Sequence, residues 1–113
     1  EDLAESGRLE HTLVIVLSEF GRTPKINVGL GRDHWPQAWS MCLAGCGIKG
    51  GSIHGKTNPA GTWVDDGQTG YADLFHTYFH ALGIDTHKTE YNNAGQPLPL
   101  ANEDAAPIKT VLG

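Results

Sequence analysis

Thr12-Leu13-Val14-Ile15-Val16-Leu17 is the stretch on which a fold assignment turns. It is continuously apolar, mostly β-branched or Leu, and shows no polar alternation, the pattern of a strand covered on both faces in a parallel sheet. The expected class is therefore α/β. A central strand needs a hydrogen-bonded neighbour on each side, and only Trp39 to Ala44 offers a comparable run, stopped by Gly45, Gly47 and the Gly50-Gly51 pair. The remaining neighbours are expected upstream of Glu1, where the chain begins without Met.

Outward from that strand, Glu1 to Arg8 reads as the last turn of a helix closed by Gly7. Ser18 to Pro36 is polar, Gly-rich and without period, a long loop leaving the carboxyl end of the strand, where ligands bind in open α/β sheets. Ser52 to Trp63 is turn-rich and suggests a short hairpin. Leu74, Phe75, Tyr78, Phe79 and Leu82 recur at helical spacing, so Tyr71 to Leu82 is the clearest helix, with Gly83 as its stop. From Asp85 onward, Pro97, Pro99 and Pro107 punctuate an irregular tail that ends in the apolar segment Ile108 to Leu112.

The chain has 113 residues, 39% hydrophobic and 19% charged, which is globular composition with room for one domain and a modest core. A formal charge of −5 with only eight Lys and Arg excludes a nucleic-acid footprint, so any anion must be held locally. No apolar run approaches the ~20 residues of a membrane span. Cys42 and Cys46 permit one bridge or none and read as small buried residues flanking a strand end.

Two motifs carry candidate chemistry. Ser18-Glu19-Phe20-Gly21-Arg22-Thr23-Pro24 follows the apolar strand, and a rigid strand end suits Glu19 to metal ligation and the planar fork of Arg22 to a phosphate or sulfate. Gly31-Arg32-Asp33-His34-Trp35-Pro36 follows in the same loop, with His34 and Asp33 as ligand types that zinc and similar ions choose and Arg32 as a second anion binder. The competing structural readings are a surface ion pair and a His that caps loop carbonyls. Gly50-Gly51-Ser52-Ile53-His54-Gly55-Lys56-Thr57 matches a phosphate loop literally, but Asn58-Pro59-Ala60-Gly61 cannot supply the helix that the motif needs, so nucleotide binding is a remote alternative. His76 and His80 stand four apart on the helix, a metal-sharing spacing; the plainer expectation is a packed His80 and a solvated His76.

Taken in order with Leu43 to Gly51 and Asp73 to Asp85, these motifs resemble an uncharacterised bacterial domain-of-unknown-function family grouped with alkaline phosphatases and sulfatases. The resemblance runs along nearly the whole chain and implies that residues 1–113 are a single C-terminal segment of a larger alkaline-phosphatase-like parallel-sheet domain. It implies a metal-dependent hydrolase of phosphate or sulfate esters, with zinc, manganese or calcium as cofactor and an extracytoplasmic location open. Glu19, His34 and Asp33 would then be metal ligands, Arg22 and Arg32 would bind the anion, and the nucleophile would lie upstream of Glu1, leaving the segment alone inactive. Glu19-Phe20-Gly21 stands where relatives carry Asp-His-Gly, so Phe20 replaces one ligand. The alternative is a non-catalytic binding or structural module of the same fold. Exposed sheet edges would favour a homo-oligomer.

Overall fold

Only Val14–Val16 of the apolar run becomes a strand, β1, in the computed structural model, which describes residues 1–113. Ile15, Val16 and Leu17 are 40%, 63% and 48% exposed, so the run is not covered on both faces within this chain. Its one partner is β4 (Cys42–Ala44). The other strands pair two by two: β2 (Gly21–Arg22) with β3 (His34–Trp35), β5 (Lys56–Thr57) with β6 (Val64–Asp66), and β7 (Glu90–Asn93) with β8 (Gln96–Pro99), all antiparallel. No parallel sheet forms, which overturns the α/β expectation and the alkaline-phosphatase-like parallel-sheet fold with it. Hydrophobic continuity records what a strand would bury; it does not supply the neighbours that bury it.

The chain folds as two units, one of residues 1–13, 44–53 and 69–113 and the other of residues 14–43 and 54–68. Among apolar side chains only Ala38 and Leu74 are buried, a smaller core than composition suggests. The accessible surface is 8397 Å², against the roughly 6,000 Å² expected of a folded monomer of this mass. No helix is long and apolar enough to cross a membrane. Both cysteines are free, and Cys42 is exposed rather than buried.

In the first unit, α1 (Asp2–Glu5) precedes a 3-10 turn at Arg8–His11, and α2 (Tyr71–Ala81) is the helix that the periodicity predicts. Asp73 Oδ2 accepts the Gly70 N–H at 2.9 Å, closing the first turn, and Gly83 at φ 77° takes the left-handed conformation that ends it. The face that α2 buries is not its apolar stripe. Leu74, His76 and Thr77 are buried, while Phe75 and Leu82 stay half open. Thr77 Oγ1 donates to the Asp73 carbonyl at 2.7 Å and accepts the Ile108 N–H at 2.9 Å, and Asp73 Oδ1 accepts the Ala106 N–H at 3.3 Å. His76 Nε2 lies 2.7 Å from the Asn102 carbonyl, which can only accept, so Nε2 carries the proton there; Nδ1 meets the Thr86 hydroxyl at 2.6 Å. Helix and tail are thus joined by hydrogen bonds whose donors and acceptors are all paired.

The tail is not irregular throughout. β7 and β8 form a hairpin with Asn93 opposite Gln96, across a two-residue turn in which Ala94 and Gly95 have φ 51° and 89°. Before it, Asp85 accepts from the Lys88 ammonium at 3.0 Å and from the His87 N–H at 3.0 Å. The Lys88 hydrogen bond, then that of His87, hold the Asp85 carboxyl below its ordinary value. A depressed carboxyl stabilises the fold above its unfolded pKa and loses that contribution as pH falls through the folded one. Titration of the Asp85 side chain by carbon NMR is expected to give a midpoint below that of a free carboxylate, moving upward in Lys88→Ala. Thr77→Val keeps the shape and removes the hydroxyl, leaving the Ile108 N–H without an acceptor. Urea melts should show a loss of about 1–3 kcal/mol, with faster amide exchange at Ile108; unchanged exchange would remove Thr77 from the clamp.

Candidate functional site

The second unit holds all five residues that the sequence nominates, Glu19, Arg22, Arg32, Asp33 and His34. The long loop between Ser18 and Pro36 contains the β2–β3 ladder, with Gly21 opposite Trp35 and Arg22 opposite His34. Side chains directly opposite on an antiparallel pair point to one face, so Arg22 and His34 share a face and Trp35 takes the other. Trp35 Nε1 donates to the Thr62 carbonyl at 2.7 Å, anchoring that second face. A side chain on Gly21 would collide with the Ala38 carbonyl and come within 2.9 Å of Trp39 Cβ, so the backbone packs this closely only because Gly21 has no Cβ.

On the first face, Phe20 stacks on His34 with ring centroids 3.9 Å apart and planes inclined by 26°. The Arg22 guanidinium lies over the same ring, its Cζ 5.6 Å from the centroid, and Nη1 donates to the Arg32 carbonyl at 3.2 Å. His34 is exposed, and its ring nitrogens make no hydrogen bond. Glu19 is exposed beside Phe20.

Arg32 and Asp33 are occupied within the loop. Arg32 Nη1 donates to the carbonyls of Thr23 and Pro24 at 2.6 and 2.5 Å. Asp33 Oδ1 accepts from Asn27 Nδ2 at 3.0 Å, and the Asp33 N–H donates to Thr23 Oγ1 at 3.1 Å. Asn27, which sequence reasoning passed over, organises the tip: its Oδ1 accepts the N–H groups of Gly29 and Gly31, both at 3.0 Å. Asn followed by two closely spaced glycines is the available signal, since an Asx turn needs that acceptor and glycine accommodates the bend.

No three His, Cys, Asp or Glu side chains come together to hold a metal ion anywhere in the chain. His76 and His80 do not share one, because both ring nitrogens of His76 are engaged; His76, expected to be solvated, is buried, and His80 is exposed. Lys56 and Thr57 lie in β5 and no helix begins there, so the phosphate-loop match lacks its anion-binding helix terminus.

A family model described as "Protein of unknown function (DUF1501)" matches residues 1–112. The chain belongs to this family. No curated protein and no solved structure matches it. The DUF1501 match carries no link to alkaline phosphatases or sulfatases.

The Gly21 contact gives the DUF1501 ladder a direct test. Gly21→Ala should cost about 1–3 kcal/mol through overpacking and abolish nuclear Overhauser contacts between the Phe20 and His34 rings; retained ring contacts would show that the ladder tolerates a Cβ.

Proposed function

We propose that this chain contributes anion- and metal-binding loops to a metal-dependent hydrolase of phosphate or sulfate esters, as a segment related to the alkaline phosphatase and sulfatase superfamily. The observation that supports the reading is the register of Arg22 opposite His34, which sets a planar cationic fork and an unengaged imidazole on one face. An ester oxyanion suits that pairing, with the guanidinium donating to its oxygens. The donor set suits a divalent ion in part: His34 has free ring nitrogens, and with Glu19 it would hold zinc, manganese or calcium, while Asp33 is a weaker donor because Asn27 already holds it. When bound, the ion supplies Lewis-acid polarisation of the ester oxygen. Since these donors do not gather into a three-ligand group, the chain alone is expected to be inactive.

Arg32 and Asp33 favour a second reading for their own part of the loop. Their polar groups are spent on Thr23, Pro24 and Asn27, which knits the loop together. A purely structural module would extend that role to His34.

Elemental analysis after zinc loading and dialysis separates the readings. The hydrolase reading expects zinc on the wild-type chain, lost in His34→Ala and reduced in Glu19→Gln, and binding of inorganic phosphate weakened at least tenfold in Arg22→Ala. Zinc content unchanged in His34→Ala leaves only the structural module.

A further inference from the structure

Phe20 carries no chemistry of its own in the first motif, yet its side chain lies against groups from both motifs. Its ring centroid lies 3.9 Å from that of His34 and 5.6 Å from Arg22 Cζ, so one flat apolar side chain neighbours both groups assigned to ligand binding. A metal-binding His ordinarily fixes its ring by donating the second nitrogen to a carboxylate or carbonyl. His34 makes no such hydrogen bond, and the stack on Phe20 is the ring contact that bears on its orientation. Phe20 is half-buried while Glu19, Arg22 and His34 are exposed, so the platform is the best anchored member of the group. Its ring has no hydrogen-bonding atom and cannot ligate a metal ion or donate to an anion. The electron-rich ring face attracts the guanidinium, and offset stacking favours the imidazole plane.

We infer that Phe20 is a positioning residue: its ring orients His34 for ligation and draws Arg22 beside it. This rests on the ligand role given to His34 above. The requirement is a flat aromatic side chain at position 20, so Phe20→Tyr and Phe20→Trp should work and Phe20→Leu, similar in bulk but not flat, should not.

Two measurements on the full 113-residue chain test this, with thermal melts to establish that each variant is folded. The first is zinc affinity, by competition with a chromophoric chelator. Phe20→Leu should bind zinc about three- to tenfold more weakly, the range that an aromatic pair contributes beyond buried area, with affinity restored in Phe20→Tyr and Phe20→Trp. The second is the proton NMR of the His34 ring without metal, where the ring current of Phe20 should shift the resonances upfield and Phe20→Leu should abolish the shift. Unchanged His34 resonances in Phe20→Leu overturn the positioning role whatever the zinc result, and so does wild-type zinc affinity in that variant. A wild-type chain that takes no zinc overturns the ligand role of His34 instead, and the ring-current shift then decides orientation by itself. If Phe20→Leu does not fold, Phe20→Tyr and Phe20→Trp carry the decision, since loss of the upfield shift in both contradicts the proposal.

Discussion

The face that carries Phe20, Arg22 and His34 exists because Gly21 has no side chain. With hydrogen at that position, the Ala38 carbonyl and Trp39 close against the back of β2, and Trp35, opposite Gly21, turns to the Thr62 carbonyl. Strand alternation then sends Arg22 and His34 the other way. A two-residue ladder is too short to fix its register by hydrogen bonds alone, so packing at Gly21 and anchoring at Trp35 supply what length does not.

The first unit is built on a different economy. Its best helix offers an apolar stripe, but what becomes buried is Leu74 with two polar residues, His76 and Thr77. Each polar atom there meets a complementary atom from Thr86, Asn102 or Ile108. In a chain with so little buried apolar surface, directional bonds decide which tail residues lie on the helix, because hydrophobic contact is indifferent to register.

Much of the local structure was legible in the sequence. The 3.6-residue recurrence from Leu74 to Leu82 and the stop at Gly83 give α2 to within a residue, and the run around Val14 gives the place of β1. What failed was inference from a strand to its surroundings, since Ile15 and Val16 state a preference and not the identity of their neighbours. β2 and β3 are too short to have a period. The β7–β8 hairpin hides behind Pro97 and Pro99, which fall at alternate positions so that their missing N–H groups share one edge, and behind Ala94, an unexpected residue at positive φ. His76 could not be placed because its partners lie ten and 26 residues away. At the candidate site the chemistry of Arg22 and His34 could be named, but their cross-strand register and the platform under them are facts of three dimensions.

The loop bounded by Phe20 and Arg32 is locally cationic in an acidic chain. It contains Arg22, Lys25 and Arg32 and none of the 13 acidic residues of a chain whose formal charge is −5. For any dianion that approaches, the net charge repels at long range, and the cations of this loop attract within about a Debye length, ~8 Å at physiological ionic strength. Added salt relieves the distant repulsion and screens the local attraction together, so the two effects oppose each other in any such encounter.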